Sequence, residues 1–197
     1  MRKLVLQDIM SLGAYEAVRN DFKKKIIDLK RDRRIGLGEI LTLIFENRET
    51  VKLQIQEMMR VEHIYDDKKI QDEINIYNAL IPGPGELSAT LLIEITDEKK
   101  IKPLLDSLIG LDNGKSVYFK IGETKVFAVF EEGHSEATKI SAVHYVRFIF
   151  SPESIAAWKE GNEDVLLVAD HPNYHAECRI KDEARLSLAG DWSEAGI

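Results

Sequence analysis

The residues with the clearest chemical potential are two histidines near the C-terminal end, His171 and His175, in the segment ADHPNYHAE. Two histidines four positions apart bind one metal ion when they share a helix face, and Asp170 and Glu177 would add carboxylate oxygens. Pro172 favours a turn instead, so a simple turn at a strand end is the competing interpretation. His171 alone, following Asp170 at the end of a buried strand, is the better candidate because strand ends present side chains to clefts.

A second set of candidates is formed by charged residues among apolar neighbours. In the segment LTLIFENRETVKLQIQEMMRVEH, one helix face carries four apolar residues: Val51, Ile55, Met58 and Met59. A helical wheel puts Arg48 and Glu62 on that same side. Because a buried, unpaired carboxylate is costly, Glu62 should face a cation or a cleft. The alternative is that Glu62 lies in water at the helix end and that Arg48 is a solvated residue at the helix start.

Two predicted strands each carry one further charged candidate, Glu94 and Arg147. If these strands are neighbours, the two side chains can pair, and the helix can supply the rest of a charged network. Such clusters are enriched at functional sites, although structural ion pairs give the same sequence pattern. The full set of candidate binding residues is Glu46, Arg48, Glu57, Glu62, Glu94, Arg147, Asp170 and His171.

Several kinds of chemistry find no signal in the sequence. The single cysteine, Cys178, excludes an internal disulfide and a cysteine-rich metal site, and its place on a predicted strand favours a packed small side chain. The glycines Gly36 and Gly38 lack the third glycine of a dinucleotide loop. No serine lies in a Gly-x-Ser-x-Gly motif. The sequence therefore gives no metal ligand set, and it leaves open which cofactor, if any, the protein uses and whether it is an enzyme.

The charge of the chain is unevenly distributed. The net charge is −7, yet residues 19–34 contain three acidic and eight basic residues: Arg19, Lys23, Lys24, Lys25, Lys30, Arg31, Arg33 and Arg34. A basic run of this kind is typical of a nucleic-acid surface or of a helix lying against an acidic body. Phe22 is the one aromatic residue in the run, which favours the second interpretation.

Periodicity and capping signals predict an α+β protein with N-terminal helices packed on a mainly antiparallel sheet. Helices are expected at residues 12–30, after the N-cap Asn47, after Asp66 or Asp67, after Asp97, and from Ser151 to residue 159. Strands are expected at residues 39–46, 87–95, 116–121, 125–131, 140–150, 164–169 and 174–180. The break at residues 82–85, Pro-Gly-Pro-Gly, separates a helix-rich front (1–82) from a sheet-rich back (87–197).

Length and composition place limits on organisation and location. The 197 residues, 44% hydrophobic and 31% charged, predict one globular domain spanning residues 1–197. The N-terminal apolar run is too short for a signal peptide, and no stretch approaches the ~20 apolar residues that span a bilayer. A cytoplasmic location without membrane contact is the resulting expectation.

Five separated blocks carry a resemblance to a known family: residues 45–48 (Phe-Glu-Asn-Arg), 54–58 (Gln-x-Gln-Glu-Met), 77–82 (Tyr-Asn-x-Leu-Ile-Pro), 88–90 (Ser-Ala-Thr) and 170–174 (Asp-His-Pro-x-Tyr). Over nearly its whole length the chain resembles the bacterial family known only as domain of unknown function 3501. The resemblance implies no assigned activity or catalytic residue. It does imply a redox or peroxide-stress setting, because family genes often lie beside genes for rubrerythrin-like and iron–sulfur proteins.

The leading functional hypothesis is a non-catalytic accessory or binding protein that uses its charged residues to engage a redox partner, such as a rubrerythrin-like or iron–sulfur protein, or a small anion. The second is a metal-binding protein or enzyme with a site joining His171 to the helix that carries Arg48 and Glu62. The third is nucleic-acid binding through the basic run from Arg19 to Arg34. The sequence leaves the oligomeric state open, including a homo-oligomer.

Overall fold

The computed structural model of the protein describes residues 1–131, 133 and 139–193. In these residues the helices are α1 (Leu12–Arg31), α2 (Arg48–Val61), α3 (Asp67–Tyr77), α4 (Glu98–Ser107), α5 (Pro152–Glu160) and α6 (Asp182–Ser193). The strands are β1 (Arg34–Leu37), β2 (Leu41–Glu46), β3 (Glu86–Ile93), β4 (Val117–Ile121), β5 (Thr124–Phe130), β6 (Val143–Ile149), β7 (Val165–His171) and β8 (Tyr174–Arg179). None of the helices in this part of the chain is long and apolar enough to cross a membrane.

The strands form one curled sheet in the order β1-β2-β3-β6-β5-β4-β7-β8, and every neighbouring pair is antiparallel. The prediction of an α+β fold with a mainly antiparallel sheet is therefore confirmed. The curl brings the two edge strands towards each other. Their contact is a 2.7 Å hydrogen bond that the Tyr174 hydroxyl of β8 donates to the Leu37 carbonyl of β1. The result is a sheet that is nearly closed into a barrel.

The concave face of the sheet holds the main hydrophobic core. Alternate residues point inward, as the period of a strand requires; on β2 these are Leu41, Leu43 and Phe45. An aromatic cluster continues the core towards α5 and α6: Phe119, Phe148, Phe150, Trp158 and Trp192. Burial of one such large apolar side chain contributes about 1.5–3 kcal/mol, so this core is the main source of stability.

A second, smaller core lies between the N-terminal segment, α2 and α3, with the partly buried Tyr145 of β6 packed against it. The capping residues that begin these helices are those expected from sequence. Asn47 accepts hydrogen bonds from the backbone of Glu49 and Thr50, and Asp66 does the same at α3. Ser151 caps α5, whose first residue is Pro152.

Two elements were absent from the sequence-based expectation, β1 and α6. Gly36 lies in β1, and Gly38, with φ +73°, lies in the turn to β2. A Cβ at Gly38 would meet the Tyr174 hydroxyl, so the close approach of β8 requires glycine there. Helix α6 gives a weak apolar signal because its buried side has the small Ala184 and the charged Asp191 beside Leu188 and Trp192. Strands β1 and β2 precede the break at residues 82–85, so the helix-rich front also contributes to the sheet.

A buried ion pair ties the first strands to the last helix. Arg33, which the sequence places in a basic surface run, is 1% exposed, and its guanidinium group donates to both carboxylate oxygens of Asp191 at 2.5 and 3.1 Å. Its other N–H groups donate hydrogen bonds to the backbone carbonyls of Phe45, Glu46 and Ser187. All five guanidinium N–H groups therefore have acceptors, which is the condition under which a charge tolerates burial.

Removing one partner of this ion pair is expected to destabilise the protein strongly. The variant Asp191→Leu leaves the Arg33 charge buried without its carboxylate, which costs about 3–5 kcal/mol of unfolding free energy. The double variant Arg33→Met with Asp191→Leu should recover most of that loss, since no unpaired charge remains. Urea unfolding followed by circular dichroism measures both; a single variant within about 1 kcal/mol of wild type would contradict the assignment.

Candidate functional site

Two of the charged residues singled out from sequence, Glu46 and Glu57, line the same cleft. This helix–sheet cleft lies between α1, α2 and the outer face of β2, β3 and β6, and has a volume of about 320 Å³. Its polar lining residues are Lys30, Glu46, Thr50, Gln54, Glu57 and Thr90, and Tyr145 forms one wall. The register explains the convergence, because Ile44, Thr90 and Tyr145 are direct cross-strand neighbours on the outer face.

Glu46 lies at the floor of the helix–sheet cleft, with only 5% of its side chain exposed. Its carboxylate accepts hydrogen bonds from the Thr50 hydroxyl at 2.5 Å and the Thr90 hydroxyl at 3.3 Å. The nearest ammonium group is that of Lys30, 3.8 Å away. The carboxylate therefore has neutral donors at hydrogen-bond distance, and its cation lies farther off.

Glu57 has a different environment, in which it joins α2 to α1. It accepts a 2.5 Å hydrogen bond from the Tyr15 hydroxyl and two from the Arg19 guanidinium at 2.7 and 2.8 Å. The Arg19 hydrogen bonds, assisted by Tyr15 and the charge of Lys23, lower the pKa of Glu57 to about 2. Burial and the adjacent Glu57 carboxylate raise the pKa of Tyr15 above its usual value. This carboxylate is thus saturated by groups of the protein itself.

Arg48 and Glu62 lie at opposite ends of α2 and do not form a common site. The Arg48 guanidinium is 2.7 Å from the carboxylate of Asp8 and is partly buried. Glu62 is exposed at the C-terminal end of the helix, rather than on the buried face that the helical wheel predicts. Glu62 is the C-cap of α2, so its side chain lies at the open end of the helix and reaches solvent.

The predicted pairing of Glu94 with Arg147 is wrong. Glu94 accepts hydrogen bonds from Arg34 at 2.8 Å and from Thr42 at 2.5 Å, whereas Arg147 pairs with Glu86 at 2.8 Å. The strands are indeed neighbours, but their register places Arg147 opposite residue 88. Glu94 is six residues farther on, roughly 20 Å along an extended chain.

The histidines lie at the turn between β7 and β8, and their hydrogen bonds go to residues outside α2. His171 is buried, and its Nε2 is 3.2 Å from the Ile109 carbonyl while the Asn173 N–H donates to Nδ1. Both ring nitrogens of His171 thus form hydrogen bonds with backbone groups, and these bonds hold the turn between β7 and β8 against the loop after α4. Asp170 is exposed and 3.4 Å from His175. In the described ranges of the chain, no group of three or more His, Cys, Asp or Glu side chains is placed to hold a metal ion.

The basic run is largely neutralised by the protein's own carboxylates. In the part of the chain that the structure describes, seven of its eight basic residues have a carboxylate within 3.9 Å: Arg19 and Lys23 with Glu57, Lys25 with Glu49, Lys30 with Glu46, Arg31 with Asp28, Arg33 with Asp191, and Arg34 with Glu94. These contacts fit the second interpretation of the basic run, that of a helix lying against an acidic body.

A second cleft, which sequence reasoning missed, separates the two edge strands of the sheet. This edge cleft has a volume of about 640 Å³, twice that of the helix–sheet cleft. Its lining includes four basic residues, Arg31, Arg34, Arg179 and Lys181, and two acidic ones, Asp32 and Glu183. Gly36 of β1 and the free thiol of Cys178 in β8 complete its walls. No local sequence pattern predicts such a site, because its two walls are about 140 residues apart in the sequence.

Comparison with known proteins gives a family but no activity. A family described as "Protein of unknown function (DUF3501)" matches residues 3–192. The chain is similar to a solved structure, a novel protein of unknown function from Burkholderia pseudomallei K96243, with 33% identity and a TM-score of 0.87. That similarity covers 96% of this chain and 99% of the other. No curated protein matches.

The Glu57 network makes stability depend on pH in the acid range. The pKa of Glu57 is about 2 in the folded protein and 4.5 in the absence of these contacts, so its contribution is complete above about pH 5 and is lost as pH falls towards 2. Glu57→Gln should lower stability at neutral pH by about 1 kcal/mol after solvent screening. It should also flatten the fall in stability below pH 5.

Chemical denaturation at several pH values measures this effect, with Glu160→Gln, at the exposed end of α5, as the matched control. The control should follow the wild-type pH profile. Parallel profiles for Glu57→Gln and wild type between pH 5 and 2 would show that this carboxylate is not the group responsible.

Proposed function

Because the chain belongs to the DUF3501 family, a family of unknown function, we propose a function from its geometry: a non-catalytic accessory protein that binds a protein partner at the edge cleft. The observation that carries the proposal is that two edge strands, β1 and β8, face each other across this cleft. An edge strand presents backbone donors and acceptors that a further extended segment can use.

The hydrogen-bond pattern of β1 identifies the backbone groups that face the edge cleft. The Phe45 N–H donates to the Arg33 carbonyl at 2.9 Å, so residues 33 and 45 form a hydrogen-bonded pair. Since such pairs alternate along an antiparallel ladder, Ile35 also points its backbone groups towards β2. The N–H and carbonyl of Gly36 then point to the other side, away from β2.

The same reasoning applies to β8 on the opposite wall. The Ile180 N–H donates to the Val165 carbonyl at 2.8 Å, which directs the backbone groups of Glu177 and Arg179 away from β7. The two edges are held close at the other end of the cleft by Tyr174 and Leu37. The cleft is therefore a wedge that widens towards Arg34 and Arg179, where an extended segment enters.

The charges of the edge cleft favour a segment with acidic side chains. The lining carries four positive and two negative side chains. Three of the cations already pair with carboxylates, but these pairs are exposed; Arg179 and Asp164, for example, have about 60% of their side chains in solvent. Exposed pairs are worth about 0–1 kcal/mol, so a partner's carboxylates can replace them at little cost.

A rubrerythrin-like or iron–sulfur protein is the first candidate partner, and a redox or stress setting follows from it. This part of the proposal rests on the gene association that the family resemblance implies. The metal-site and nucleic-acid alternatives have less support, because the histidines are used by backbone groups and the basic run is paired with carboxylates.

The test uses Gly36, where a Cβ would meet nothing within 4 Å. Gly36→Pro removes the edge N–H without breaking a bond to β2, and edge strands tolerate proline; Gly36→Ala is the matched control. Binding to a purified rubrerythrin-like protein from the same genome, measured by calorimetry, should weaken about tenfold or more in the proline variant only. Partner binding should also slow alkylation of Cys178 by iodoacetamide.

The outcomes separate the two parts of the proposal. Absence of binding by the wild type to rubrerythrin-like and iron–sulfur partners would contradict the redox assignment. Binding that is equal in wild type and Gly36→Pro, with no protection of Cys178, would contradict the edge cleft as the binding site.

A further inference from the structure

We propose that the helix–sheet cleft is a separate binding site for a small organic ammonium ion, with the Glu46 carboxylate as the group that binds its charge. The cleft lies on the outer face of β2, β3 and β6 and shares no lining residue with the edge cleft, so no part of the proposed partner binding uses it. The inference therefore stands independently of that function.

The charge balance at the cleft floor carries the inference. Glu46 is a buried carboxylate whose hydrogen-bond donors, Thr50 and Thr90, are neutral hydroxyls. Such donors orient the carboxylate but leave its negative charge in place, and a buried charge is costly without a cation in direct contact. Glu57, the other carboxylate of the cleft, already has Arg19 at 2.7 Å. Among the described residues, the cation paired with the Glu46 carboxylate is the Lys30 ammonium, at 3.8 Å and beyond hydrogen-bond distance.

The protein itself places an ammonium group near this charge. The Lys30 amine is 3.8 Å from the Glu46 carboxylate, too far for a hydrogen bond, and about a third of the Lys30 side chain is exposed. Lys30 thus shows that the site attracts an ammonium group, while its long side chain holds that group only loosely. A free ligand ammonium reaches hydrogen-bond distance of Glu46 and displaces Lys30.

The walls of the cleft select the rest of the ligand. Ile44, Leu53 and Leu92 provide apolar surface, and Tyr145 adds an aromatic side chain that favours a nearby cation. The volume of about 320 Å³ is at the low end of the range for ligand pockets. The ligand class is therefore a small primary amine with a short hydrocarbon chain, rather than an anion.

The test compares variants that change the charge balance in opposite directions. The probe is n-butylammonium chloride, with n-butanol as the neutral analogue, and binding is followed by amide chemical shifts in an NMR titration at low salt. Glu46→Gln should weaken butylammonium binding about tenfold or more, because the amide keeps the shape but loses the charge. Lys30→Met should tighten binding roughly threefold or more by removing the competing ammonium.

A matched control is Glu49→Gln, a carboxylate on the first turn of α2 outside the cleft, which should leave the affinity unchanged. Shifts of cleft residues with butylammonium but not butanol, lost in Glu46→Gln and enhanced in Lys30→Met, support the site. No binding to wild type and Lys30→Met, or equal binding to Glu46→Gln and wild type, overturns it. If Glu46→Gln fails to fold by circular dichroism, an unchanged affinity in Lys30→Met is sufficient to overturn it.

Discussion

The buried ion pair between Arg33 and Asp191 is the contact on which the arrangement of the sheet edges depends. Arg33 immediately precedes β1, and Asp191 lies near the end of the helix that follows β8. Their contact therefore joins the two ends of the strand order across the mouth of the curled sheet. The carbonyls of Phe45 and Glu46 bind the same guanidinium, so the position of β2 is coupled to this closure as well. Neighbours of this ion pair line both clefts: Asp32 and Arg34 in the edge cleft, and Glu46 in the helix–sheet cleft.

Several charged residues of α1 and α2 stabilise contacts between elements. The basic side of α1 faces carboxylates of α2 and β2, so the charge contrast along the chain is neutralised within the fold. Glu57 illustrates the consequence: its carboxylate has three donors at hydrogen-bond distance, two of them from the Arg19 guanidinium, so its charge is already paired within the protein. Glu46 differs because its close donors are uncharged, and that difference separates a structural carboxylate from a candidate binding residue.

Much of the secondary structure could be predicted because its signals are local. Asn47, Asp66 and Ser151 cap helices through hydrogen bonds to residues two or three positions away, which makes them recognisable in sequence. Strand β1 could not be recognised, since it is four residues long and contains Gly36, and its stability comes from pairing with β2 and closure by Arg33. The pairing of Glu94 with Arg147 failed for a related reason: alternation gives the face of a strand on which a residue lies, but not its register.

The sequence by itself determined the α+β class, the starts of α1 to α5, the alternating strands other than β1, and the family, because caps, periodicity and motif blocks all act over short separations. It also indicated Glu46 and Glu57 as charges among apolar neighbours. Only the tertiary structure decided which of the candidate side chains have partners within the protein, since that depends on which elements pack together. Glu57 pairs with Arg19 of α1, Glu62 is exposed to water, and His171 forms hydrogen bonds with backbone groups. The edge cleft is likewise a tertiary product, because β1 and β8 become opposite walls only when the sheet curls and the last helix is anchored to Arg33.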